Sequence, residues 1–124
     1  MQIVKNNLFS NIYEVDCFKK EFIKMTKEKW SVSPPFPRYQ KWLIRRLEVL
    51  DKQGINALQL EGFEKLEDDK CEIYAIRYPH SKLNARVIYI YCDGGLILLL
   101  AAFKEKSSGD YKRGIHLAKK GLDY

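Results

Sequence analysis

Apolar residues in this 124-residue chain fall first at helical spacing and then in dense runs of strand length, so helices are expected to precede a sheet. Asn11 to Val15 reads as a short strand. Phe18, Phe22, Ile23 and Met25 then predict a helix beginning at Cys17, with Asp16 as its N-cap. Ser33-Pro-Pro-Phe-Pro37 stops that helix, because proline lacks the N–H and biases its neighbour away from helical dihedrals. A second helix is predicted from Arg38 to Lys52, with Tyr39, Leu43, Leu47 and Leu50 toward the core and Gly54 ending it. Two helices joined by a proline turn are expected to pair antiparallel.

Three strands are predicted next, Cys71 to Arg77, Asn84 to Tyr91 and Leu96 to Phe103, all dense in Ile, Tyr, Val and Leu. Asp93-Gly94 predicts a tight hairpin between the last two, since a positive-φ turn favours that pair. A closing helix is expected from about Gly109, with Ile115, Ala118 and Leu122 as its apolar stripe. The expected fold is α+β: one domain over residues 1–124, with an antiparallel sheet of about four strands. An N-terminal helical hairpin and a C-terminal helix pack on it, covering one face.

Charge sharpens this picture because it is unevenly placed. Residues 1–76 carry 13 Lys/Arg against 12 Asp/Glu, whereas residues 77–124 carry 9 against 4. Segment 61–72 is acidic, so an acidic connector precedes a basic sheet, the distribution expected when the partner is a polyanion. Three cysteines without C-x-x-C spacing indicate neither a disulfide framework nor a zinc site, and a reducing cytoplasm fits them best. The N-terminus lacks a signal-peptide core, and no apolar run reaches membrane-spanning length.

Candidate chemistry gathers in the basic half. Arg77 and Arg86 each share parity with apolar residues of their strand, which places each at a sheet margin where the apolar stripe meets solvent. There either could bind a phosphate bidentately, the alternative being a salt bridge to the acidic connector. Lys104 and Lys106 follow at the end of the third strand, and Asp110-Tyr-Lys-Arg113 opens the last helix. Tyr111 lies among charges, so a lowered phenol pKa and proton transfer are expected of it; for Asp110 the alternative role is a helix cap. His80 lies in the loop beside Arg77, while His116 follows Tyr111 by about one turn. No Ser/His/Asp arrangement, phosphate-cradling glycine loop or carboxylate cluster for a metal is present. Hydrolysis here would proceed without metal or cofactor, and RNA permits that because its 2′-OH is an internal nucleophile.

The segments Leu60-Glu-Gly-Phe-Glu-Lys-Leu66, Ile73-Tyr-Ala-Ile-Arg77, Ala85-Arg-Val-Ile-Tyr89 and Leu98 to Lys106, with the closing helix, together resemble the RelE/ParE superfamily of bacterial toxins. The likeness covers about residues 11–122 and is nearest to the HigB-like, phage-derived branch. The resemblance implies a microbial-ribonuclease-like toxin, monomeric when free and neutralised by a cognate antitoxin, a small helix-turn-helix protein. It further implies cleavage of messenger RNA in the ribosomal A site. Arg86 matches the family's phosphate-binding arginine, Tyr111 its catalytic tyrosine, and Asp110-Tyr111 the Asp-Tyr pair of HigB-type members. Lys106 and His80 complete the catalytic candidates, with Arg77, Lys104, Lys112 and Arg113 as substrate-binding ones. The chain departs from the pattern at Glu105, where RelE-type members carry an arginine. A ParE-like gyrase inhibitor, or a non-catalytic member that binds only RNA or antitoxin, is the alternative reading.

Overall fold

The protein is described here from a computed structural model covering residues 2–66, 72–78, 83–106, 111–112 and 114–116. Strands β1 (Ile3–Lys5) and β2 (Ile12–Val15) lead to helices α1 (Phe18–Thr26) and α2 (Arg38–Gln53), then to strands β3 (Phe63–Leu66), β4 (Ile73–Arg77), β5 (Ala85–Tyr91) and β6 (Ile97–Lys104). A 3-10 turn, Gly54–Gln59, follows α2, and helical residues 112 and 114–116 follow β6. Among the described residues no helix is long and apolar enough to cross a membrane.

The α+β class stands, but the sheet has six strands in the order β1-β2-β6-β5-β4-β3 and is mixed. β2 runs parallel to β6, with Ile12 opposite Ile97, while the other pairs are antiparallel. The two additional strands are the edges, and each was hidden for a physical reason. β1 is only three residues long; its hairpin is closed by Asn6, whose N–H donates to the Ile12 carbonyl at 2.9 Å and whose Oδ1 accepts from the Leu8 and Phe9 amides. β3 lies inside the acidic segment, where only Phe63 is buried and the charges face outward.

Local details follow from residue chemistry. Helix α1 is capped at Cys17 rather than Asp16, without a side-chain hydrogen bond, and its Ile23 is exposed rather than part of the apolar stripe. α2 starts directly after Pro37 and buries Leu43, Leu47 and Leu50, as its spacing predicts. The β5–β6 connection is a three-residue turn, Asp93–Gly95. Gly94 and Gly95 have φ of 77° and 78°, a region where a side chain would be strained.

The sheet is covered on both faces, which corrects the expectation of one. Tyr78 packs edge-on against Trp42 and Tyr39, and the Tyr91 hydroxyl donates to the Gly54 carbonyl, so α2 lies over the face carrying residues 74, 76, 87 and 89. The opposite face carries residues 73, 75, 77, 86, 88 and 90. There Gly114 sits so close to Ile88 that a Cβ would stand 3.0 Å from its Cγ1. This approach brings the start of the last helix down onto the middle of β5.

Candidate functional site

β4 and β5 pair Arg77 directly with Arg86, and β6 sets Phe103 on the other side of Arg86. Like charges opposed across strands repel, so each guanidinium needs its own anion. Arg77 takes Glu64 of β3 at 3.6 Å and stays half exposed, realising the salt bridge to the acidic segment. Arg86 is different. Its side chain is only 4% exposed and its Nη2 lies 2.7 Å from the carboxylate of Glu105. It is therefore a buried, paired cation, not one at a solvent-facing margin.

Two further contacts complete the Arg86 environment. Nη1 donates to its own residue's preceding carbonyl, Ala85, at 2.9 Å, and Nε donates to the Tyr111 hydroxyl at 3.0 Å. The Tyr111 ring stands edge-on to Phe103 with centroids 5.2 Å apart, so it is held by packing as well as by the hydrogen bond. Its oxygen accepts from Arg86, which leaves the phenolic hydrogen to be donated elsewhere.

Burial pushes the Tyr111 phenol above its ordinary pKa, and the charges of Glu105 and Glu64 push the same way; the Arg86 hydrogen bond and charge oppose them but do not prevail. The expected lowering is thus reversed. A partly buried phenol between two carboxylates and one guanidinium keeps its proton. In this setting Tyr111, whose oxygen already accepts from Arg86, is suited to donating its proton rather than to taking one up.

Glu105, not among the candidate site residues of the sequence, is the third member of the cluster. It reads along the chain as an acid spoiling a basic loop, yet it supplies the carboxylate of the cluster. Asn84 fixes it: Asn84 Nδ2 donates to the Glu105 carbonyl at 2.9 Å, and the Glu105 N–H donates to the Asn84 carbonyl at 3.0 Å. Asn84 has φ of 50°, a left-handed conformation that asparagine tolerates better than most residues. Pairing beyond the ends of β5 and β6 therefore sets the carboxylate beside Arg86.

Among the other sequence candidates, Lys104 ends β6 half-buried, opposite Ala85, and Lys106 is exposed one residue beyond Glu105. Lys112 is exposed next to Tyr111. Asp110, His80 and Arg113 lie outside the described residues. The direct contacts of the site thus join Arg86, Glu105 and Tyr111: a guanidinium, a carboxylate and a phenol at one end of the sheet.

No curated protein matches the chain. A match to the family of the phage-derived Gp49-like protein (DUF891) spans residues 36–123, from the start of α2 through the last helix, and so takes in β5, β6 and Tyr111. The chain belongs to this Gp49-like family, which is of the RelE/HigB toxin type.

Proposed function

We propose that the protein is the toxin of a toxin–antitoxin pair and acts as an endoribonuclease on messenger RNA at the ribosome, with Arg86, Glu105 and Tyr111 as its catalytic groups. The observation that carries this reading is the three-way contact at Arg86. Cleavage of RNA through its 2′-OH needs a base for that hydroxyl, an acid for the departing 5′ oxygen and positive charge for the phosphorane-like transition state. The phenol keeps its proton, so the base role falls to the Glu105 carboxylate and the acid role to Tyr111. Arg86 stabilises the charge that builds on the phosphate, and Lys104, Lys106, Lys112 and Arg77 hold the flanking backbone. None of these roles calls for a metal or a cofactor.

This division differs from the one the residue types alone suggest, in which tyrosine or histidine would take the proton. The antitoxin would cover the basic end of the sheet, an arrangement supported by the excess of cations after residue 76. Induction of the wild-type chain beside Arg86→Ala tests the reading, with translation and transcript ends measured in parallel. Arrested translation and cut transcripts with the wild type only are expected. Intact transcripts with arrested growth and DNA damage would favour a gyrase target instead, and no effect on either would indicate a member that only binds.

A further inference from the structure

The α2 face of the sheet carries a second feature that the catalytic reading does not use. A groove of about 560 Å³ is walled by residues that include Phe36, Arg38, Lys41, Trp42, Arg45 and Tyr78, and among the described residues no acidic side chain lines it. We propose that this groove binds single-stranded RNA, with its cations on phosphates and its aromatic rings against bases. The proposal stands whether or not the chain cleaves RNA.

Among the described residues these cations are short of anions: the Glu28 charge acts on Arg38, and none of Arg38, Lys41 and Arg45 forms an ion pair. Arg38 and Lys41 sit in or just after the first turn of α2, which contains no acid, and α2 has no carboxylate before Glu48. Cations at this end oppose the helix dipole, so they weaken the helix rather than support it. Glu28, the nearest acid on the preceding segment, accepts the Tyr39 N–H at 3.0 Å. The side chains of Lys41 and Arg45 have no ion-pair or hydrogen-bond partner among the described residues. Arg38, Lys41 and Arg45 form one stripe along about 10 Å of helix.

The rings decide between polyanions. Tyr78 stands edge-on to Trp42 with centroids 5.0 Å apart and to Tyr39 at 5.3 Å, which fixes the aromatic wall in place. All of Phe36, Trp42 and Tyr78 are partly exposed. An acidic peptide would engage the cations and leave this wall idle, whereas single-stranded nucleic acid uses both, phosphates on cations and bases on rings. The groove also touches the catalytic cluster through the backbone. The Ala85 carbonyl accepts from the Tyr78 N–H at 3.0 Å and from Arg86 Nη1 at 2.9 Å, so the two sites meet around one end of β4 and β5.

The test is fluorescence anisotropy of the full chain with a labelled oligouridylate of about 12 nucleotides. Lys41→Ala/Arg45→Ala should weaken binding about 25-fold at 0.1 M salt and lower the salt slope by about 1.4, from about 0.7 per lost phosphate contact on a single strand. The control Lys52→Ala/Lys65→Ala removes equal charge from residues paired elsewhere and should change affinity less than about threefold. A Trp30→Phe chain leaves Trp42 as its one tryptophan, and RNA should quench its emission while polyglutamate does not. Absence of RNA binding, equal loss in the control, or displacement by polyglutamate without a quench by RNA would overturn the proposal, the last by assigning the groove to an acidic protein segment.

Discussion

Replacing Glu105 by glutamine separates the chemistry of the cluster from its architecture. Glutamine retains the shape and a carbonyl oxygen that can accept from Arg86 Nη2, but it cannot take a proton or carry the countercharge. Breaking a fully buried ion pair by removing one partner costs about 3–5 kcal/mol. Here Arg86 is 4% exposed but Glu105 is 29% exposed, and Arg86 keeps the Ala85 carbonyl and the Tyr111 hydroxyl as acceptors. The expected loss is accordingly smaller, about 1–2 kcal/mol, which for a chain of this length lowers Tm by about 4–8 °C. Loss of a positioned general base lowers the rate further, by about 10²–10⁴-fold. Urea unfolding and single-turnover cleavage of ribosome-bound transcript measure the two effects separately. A Glu105→Gln protein that is less stable yet cuts at the wild-type rate would show that the carboxylate only neutralises Arg86, and the assigned base would be wrong.

Three other outcomes follow from the same structure. Gly114→Ala places a methyl group against buried Ile88, so it should destabilise by about 1–3 kcal/mol in urea unfolding and, by lifting Tyr111 from Arg86, lower cleavage more than stability alone explains. Glu14 is 2% exposed and burial raises its carboxyl above the ordinary range despite the Asn6 hydrogen bond and the Lys19 charge; a raised acid contributes stability at pH below its unfolded value and loses it as pH rises. Glu14→Gln should therefore raise the urea midpoint at pH 7, with the gain shrinking as pH falls toward 4. Tyr111→Phe should lower cleavage by about 10²-fold or more. By the same sign rule, the wild type should lose stability as pH rises above 10, since Tyr74, Tyr89, Tyr91 and Tyr111 are all raised by burial, and the variant should lose less than the wild type.

How much of this was legible in the sequence depended on whether a feature is local. The ends of α2 could be read to within a residue, because Pro37 and Gly54 act through their own backbone dihedrals. Strands β4 to β6 were equally plain from their β-branched and aromatic runs. The parallel pairing of β2 with β6 joins residues more than eighty positions apart and leaves no mark on either strand. The site was half legible for a related reason. Arg86 and Tyr111 were recognisable by type, but their partner depends on an irregularity between Ile88 and Tyr89, where the β6 pairing moves from Leu99 to Ala101. Without that shift Arg86 would oppose Ala102 rather than Phe103, and Glu105 would not meet Asn84. A one-residue slip of this kind exchanges the faces of every side chain beyond it. The cations of α2 carried no assignment in the sequence, because nothing in it says that Trp42 and Tyr78 wall the groove beside them.

The most direct test of the central claim, that Arg86, Glu105 and Tyr111 cut RNA through its own 2′-hydroxyl, is end-mapping of ribosome-bound transcripts that carry either ribose or 2′-deoxyribose at the cut nucleotide. Cleavage of the ribose transcript to a 2′,3′-cyclic phosphate by the wild type, with no cut at the deoxy position and none by Arg86→Ala, is the predicted result. Cutting that persists at the deoxy nucleotide, or an Arg86→Ala protein as active as the wild type, would contradict it.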